Sequence, residues 1–195
     1  DFELERLTAD VEALRQALGL GQAVVVGHSG HGYLALEYAK RYPEAAAGGG
    51  MMAISPDSSP ASFAAADQYL EESVCPTRKA LLASSMARME AEMAAEPERR
   101  FIVYSLRSGP RIWFDPTYDA RPLWDGVTVN AAMFDHVWGT VFRRLDIREG
   151  LAALDVPVLV TLGRYDYWNP PRLWEGARGW FHDLRIRIFE RSGHT

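Results

Sequence analysis

Val24-Val25-Val26-Gly27-His28-Ser29-Gly30-His31-Gly32 decides the fold of this chain. Three β-branched valines form a short strand pattern, and a glycine-flanked serine follows as a sharp turn. Helical spacing then begins at once in Tyr33-Leu34-Ala35-Leu36-Glu37-Tyr38-Ala39-Lys40. A strand, a tight turn and a helix in that order hold the serine hydroxyl clear of the backbone. It stands at a helix N-terminus, where the dipole favours developing negative charge. Such a hydroxyl attacks a carbonyl if a base takes its proton. The unit therefore calls for a base and for a group that orients it.

Upstream, Thr8 is placed to cap a helix with Val11, Leu14, Ala17 and Leu18 on one face, and Gly19 ends it. Residues 22–26 show no alternation, as expected of a strand buried on both faces. The helix after Ser29 runs to about Tyr42 and stops at Pro43. Residues 45–54 predict a second strand, although Gly48-Gly49-Gly50 packs weakly in one. This is a β-α-β pattern with a parallel sheet.

The texture changes at Ser55-Pro56-Asp57-Ser58-Ser59-Pro60. Residues 80–96 are rich in Ala, Met and Glu and predict a helix. Residues 108–126 are irregular and aromatic, and a further helical run carries Phe134, Val137, Trp138, Val141 and Phe142. Strands return at 156–162, closed by Gly163, and at 184–189, with a helix expected near 171–181 between them. The fold class is α/β: a mostly parallel sheet flanked by helices and interrupted by a helical insertion. Residues 1–55 and 149–195 make the two parts of the core, and 56–148 make a cap or lid.

The 195 residues are 48% hydrophobic, enough for one core. The net charge of -5 gives no basic surplus, so no nucleic-acid partner is expected. The arginine pairs at 99–100 and 143–144 read as solvated helix faces. Cys75 is the single cysteine, which rules out an intrachain disulfide and fits a reducing, cytoplasmic setting. No apolar run reaches membrane-spanning length. The chain opens Asp1-Phe2 and closes one residue after His194, so N-terminal strands of the sheet are expected to lie outside it.

Ligands of open α/β sheets bind at the C-terminal ends of the strands. Three residues fall at such ends: Ser29, Asp166 in Gly163-Arg164-Tyr165-Asp166, and His194 in Arg191-Ser192-Gly193-His194. Each alone has an ordinary reading. Serine caps helices, and aspartate before Asn169-Pro170-Pro171 is common turn chemistry. Together they stand in the chain order Ser, Asp, His.

This arrangement resembles the α/β-hydrolase family, whose triad runs in that order. Gly27-His28-Ser29, Gly163-Arg164-Tyr165-Asp166 and Ser192-Gly193-His194 are most similar to the lidded branch that contains the proline iminopeptidases. The resemblance covers nearly the whole chain and implies that Ser29 is the nucleophile. His194 would be its base and then the acid for the leaving group, and Asp166 would fix the imidazole tautomer. The Gly30 N–H would supply one half of the oxyanion hole, the other half coming from a loop after an earlier strand. It implies no cofactor. The partner is a small molecule or short peptide, cleaved as an ester, amide or N-terminal peptide by an aminopeptidase or a carboxylesterase. A ligand receptor on the same fold is the competing class. Relatives with an aspartate nucleophile, the epoxide hydrolases and haloalkane dehalogenases, fit less well.

His31 departs from the family pattern, since it stands where Gly-x-Ser-x-Gly has its last glycine. Strand and helix nearly touch there, and Gly30 and Gly32 are expected to relieve the crowding. His28 and His31 are three apart but lack the further ligands zinc needs, so no metal is expected and His28 is read as packing beside the turn. His136 and His182 read as surface or core-edge residues. Trp113, Tyr118 and Trp138 either line a substrate pocket or fill the core between lid helices. Asp115, Asp119 and Glu90 would be the acids to grip a substrate ammonium, as acidic lid groups do in proline iminopeptidases.

Overall fold

The computed structural model describes residues 2–195. Four strands make one parallel sheet in the order β1 (Ala23–His28), β2 (Ala46–Met52), β3 (Val158–Gly163) and β4 (Leu184–Phe189). Helix α2 (His31–Arg41) connects β1 to β2, and α1 (Leu4–Ala17) packs against α2. The next seven helices among the described residues lie between β2 and β3: α3 (Pro60–Glu71), α4 (Pro76–Met86), α5 (Met89–Ala95), α6 (Arg100–Arg107), α7 (Gly109–Ile112), α8 (Ala131–His136) and α9 (Phe142–Arg144). Because β2 and β3 are hydrogen-bonded neighbours, this whole segment leaves the sheet after Met52 and returns to the adjacent position. The change of texture at Ser55 marks the departure.

Tyr33, Leu36, Tyr38 and Ala39 of α2 meet Met51, Val158, Val160 and Leu162 in one buried cluster on one face of the sheet. The other face is different. Val24 and Val26 are 63% and 56% exposed, and Met52, Leu159 and Phe189 are exposed with them. The expectation that β1 is buried on both faces is therefore corrected. The valine run is apolar on both sides, but among the described residues only one side is covered. The glycine run of β2 is strand, and Val26 leans into the space that a Cβ on Gly50 would take, 2.9 Å away.

Four further expectations are corrected. Thr8 does not cap α1, which begins a turn earlier; its hydroxyl donates to the Leu4 carbonyl at 2.7 Å from inside the helix. Leu14 and Leu18 are exposed, and the buried stripe is Leu4, Thr8 and Glu12, spaced by four. Glu12 is buried because the Tyr38 hydroxyl donates to it at 2.7 Å and Arg15 and Gln16 complete its shell. Gly19 ends the helix as expected, with φ +64. Residues 80–96 are helical but broken between α4 and α5. Composition dictates the state of a segment and not its axis, and α5 turns to meet α6, where Arg107 forks onto Glu92 at 2.6 and 2.7 Å. Residues 171–181 form only two 3₁₀ turns, Pro171–Trp174 and Arg178–Trp180. Pro171, Gly176 and Gly179 disfavour a continuous helix there, and Trp174 anchors the segment by donating its indole N–H to the Ile54 carbonyl at 2.7 Å.

Candidate active site

Ser29 follows β1 with φ +54, a left-handed conformation that a residue with a Cβ enters at about 1–2 kcal/mol. Its N–H donates to Met52 O at 2.8 Å, and its carbonyl accepts from Gly32 N at 2.7 Å. Strand and helix do nearly touch, but at the His31 backbone and not at its side chain. A Cβ on Gly27 would run into the His31 carbonyl, and one on Gly32 would lie 2.9 Å from Ile54 Cγ2. The His31 side chain points outward and is exposed, so the departure from the family pattern leaves the turn intact.

The acid and the histidine arrive on loops tied to one another. After β3, Arg164 N donates to Phe189 O and Tyr165 N to Ser192 O, each at 2.9 Å. The loop bearing Asp166 is thereby held against the chain that leaves β4 for His194. The His194 N–H donates to Ile112 O at 2.6 Å, and His28 Nε2 donates to His194 O at 2.7 Å. Both backbone polar groups of His194 are thus fixed. Partial burial lowers the His28 pKa, against the pull of that carbonyl.

The three side chains meet. His194 Nε2 lies 3.1 Å from Ser29 Oγ, and Nδ1 lies 2.8 Å from Asp166 Oδ2. Asp166 is fully buried and His194 almost so. The other Asp166 oxygen, Oδ1, accepts from Trp168 N at 2.9 Å and Asn169 N at 2.8 Å. An ionised carboxylate only accepts, so Nδ1 carries the imidazole proton and Nε2 presents its lone pair to the serine hydroxyl. Gly30 heads α2, where N–H groups have no partner within the helix. Trp138 and Phe142 roof it closely, each within 2.8 Å of where a Cβ would stand. Trp138 lies in a π turn, Val137–Val141, between α8 and α9.

Of the three aromatics expected to line a pocket, the structure brings only Trp138 to the serine. Trp113 and Tyr118 pack on each other with centroids 4.5 Å apart. They line a separate hollow of about 330 Å³ with Arg88, Arg107 and Arg121. Asp119 is engaged by Arg121, which holds its pKa down at about 2, and Asp115 accepts from Thr117. Glu90 lies on exposed α5. Sequence reasoning missed Trp168, whose ring stands edge-on to His194 at 5.1 Å and stacks on Tyr104 at 5.5 Å. It also missed Asn169, whose side chain accepts from Ser55 N and donates to Ala53 O, both at 3.1 Å, binding the acid loop to the end of β2. The Asn-Pro-Pro run after Asp166 was the available signal.

Residues 1–195 match the family model of the alpha/beta hydrolase fold. The AB hydrolase superfamily protein YclE of Bacillus subtilis is 33% identical over all of this chain and 69% of its own length. This chain belongs to the α/β hydrolase fold family. Among solved structures, the proline iminopeptidase of Mycobacterium smegmatis superposes with a TM-score of 0.70 at 19% identity, over 99% of this chain and 65% of that one. A thermophilic esterase of Thermogutta terrifontis superposes with a TM-score of 0.63 at 22% identity, over 98% and 65%. This α/β-fold hydrolase thus spans about two thirds of the length of these relatives. Among the described residues no helix is long and apolar enough to cross a membrane, and no three His, Cys, Asp or Glu are grouped as a metal would need.

Proposed function

We propose that Ser29, His194 and Asp166 act as a Ser-His-Asp triad that cleaves a small ester, amide or N-terminal peptide bond through an acyl-enzyme. The observation that carries this reading is the continuous contact from Ser29 Oγ through both imidazole nitrogens to Asp166, at 3.1 and 2.8 Å. Ser29 Oγ attacks the substrate carbonyl while its proton passes to Nε2. The tetrahedral oxyanion takes a hydrogen bond from the Gly30 N–H, a donor of a kind worth about 3–4 kcal/mol. Collapse expels the alkoxide or amine, which leaves with the proton from Nε2. Water then repeats the sequence on the acyl-enzyme, giving up its proton to His194 and releasing the acid. Residues 56–148 serve as the cap, and Trp138, Phe142 and Trp168 form the apolar walls beside the serine.

An N-terminal peptide brings an ammonium that needs a carboxylate. Asp115 and Asp119 are already engaged by Thr117 and Arg121, Glu90 is exposed on α5, and the side chains over Gly30 beside Ser29 are aromatic. This favours an uncharged ester over an aminopeptidase substrate, although relatives of both names share the fold. A fluorophosphonate probe is expected to label the folded protein, and Ser29→Ala is expected to abolish labelling. A panel of p-nitrophenyl esters and prolyl-anilides then separates the two substrates. Absence of labelling in the folded wild type would sink the triad reading and favour a binding protein on this fold.

A further inference from the structure

Arg78 of α4 is a cation almost wholly inside the protein, only 2% exposed. Among the described residues no carboxylate is in ion-pair contact with it; Asp115 feels it only through space. Its guanidinium is spent on backbone. Nη1 donates to Pro110 O at 2.5 Å and to Trp113 O at 2.8 Å, and Nη2 donates to Phe114 O at 2.7 Å. Its planar face lies over the rings of Tyr165 and Tyr167, 5.6 and 5.0 Å from their centroids. Those tyrosines are the two neighbours of Asp166.

The three carbonyls bracket Ile112, whose own carbonyl takes the His194 N–H at 2.6 Å. One residue earlier, Arg111 O takes the Tyr167 N–H at 3.0 Å. The approach of this segment to the histidine loop is backbone on backbone: a Cβ on Gly193 would collide with the Ile112 carbonyl. Segment 110–114 is thus a strap from the inserted helices across both loops of the triad, and Arg78 fastens it. Space filling does not explain the residue. A buried charge without a carboxylate is expensive, and an apolar side chain of the same volume fills such a place more cheaply. Arg78 Nε is also buried without a partner. What an apolar residue could not do is turn the carbonyls of Pro110, Trp113 and Phe114 inward.

We infer that Arg78 is a positioning residue that sets the acid–histidine half of the triad through the 110–114 strap, an inference that rests on the triad reading above. A displacement of about 1 Å in catalytic geometry lowers rates by roughly 10²-fold. Arg78→Met is therefore expected to reduce kcat for a p-nitrophenyl ester by about that factor, with KM changed by less than about threefold. Arg78→Lys keeps the charge but not the fork, and is expected to fall between it and wild type. The downfield ¹H NMR resonance of the His194 Nδ1 proton should be present in wild type and broadened or lost in folded Arg78→Met. A folded Arg78→Met with wild-type kcat and an intact resonance overturns the inference. If that variant does not fold, Arg78→Lys decides: reduced kcat at unchanged KM supports it, and wild-type kcat overturns it. If neither variant folds, Arg78 is only a fold-holding residue and the inference is also overturned. Failure of the triad reading itself would look different, since wild type would then leave Ser29 unlabelled while the resonance still reported on the strap.

Discussion

Asp166→Asn is the substitution whose outcome the geometry fixes most tightly. In the native site Oδ1 accepts two backbone N–H bonds, from Trp168 and Asn169, and Oδ2 accepts the Nδ1 proton of His194. An asparagine must keep its carbonyl oxygen towards the two backbone donors, because turning it would leave them facing an NH₂. Its amide nitrogen then points at Nδ1, which has to accept. The imidazole proton moves to Nε2, where it faces Ser29 Oγ at 3.1 Å and leaves no lone pair for the serine proton. The change is isosteric yet inverts the base. In a triad of this kind the wrong tautomer lowers kcat by about 10⁴, which is roughly 5–6 kcal/mol of barrier. The fold loses less than the activity, since both bonds to Oδ1 keep their geometry while their acceptor becomes neutral, a loss of about 1.5–3 kcal/mol. The assay is p-nitrophenyl ester turnover, or the fluorophosphonate labelling rate, alongside a denaturant midpoint. A variant that kept more than about a tenth of wild-type kcat would refute the tautomer argument. So would a loss of activity matched by unfolding.

Other outcomes follow from the same contacts. Ser29→Gly is expected to abolish activity while raising stability by about 0.5–1 kcal/mol, because relief of the φ +54 conformation exceeds glycine's extra chain entropy; Ser29→Ala keeps the strain and should show no gain in the same denaturant titration. Gly27→Ala should destabilise the protein by about 3 kcal/mol or more, read by thermal melting, since its methyl would meet the His31 carbonyl of α2. Hydrogen bonds from Arg15 and Tyr38 hold the Glu12 pKa down at about 2, from an ordinary value of 4.5. A lowered folded-state pKa gives stability that is present above pH 4.5 and is lost as pH falls towards 2. A stability–pH curve should show that fall, and Glu12→Gln should flatten it.

The parts of this fold that were legible are those whose cause is local. Three valines ending in a glycine-flanked serine, followed by helical spacing, specify β1, the turn and α2 without help from elsewhere. The change at Ser55 likewise marks where the chain leaves the sheet. What escaped depends on what lies opposite. Val24 and Val26 read as core, and are bare only because nothing among the described residues covers that face. Leu14 and Leu18 read as a buried face, yet the helix turns Glu12 inward, since Tyr38 offers it a hydroxyl. The segment 171–181 has helical spacing in its apolar residues but carries a proline and two glycines, and only 3₁₀ turns form.

The site divides along the same line. Ser29, Asp166 and His194 each follow the end of a strand, so a strand pattern led to each of them. His28, Asn169 and Arg78 hold those three in place through backbone carbonyls of residues 194, 53, 110, 113 and 114 and the N–H of residue 55, groups that almost any amino acid supplies. No side-chain pattern marks such a partner. Asp166 shows why the ordinary reading and the chemical one need not compete. Its ordinary reading is turn chemistry before Asn169-Pro170-Pro171, and in the structure Oδ1 accepts two backbone N–H bonds. That occupation is what leaves Oδ2 alone free for Nδ1 and fixes its direction. The turn supplies the rigidity, and the orientation of the imidazole follows from it.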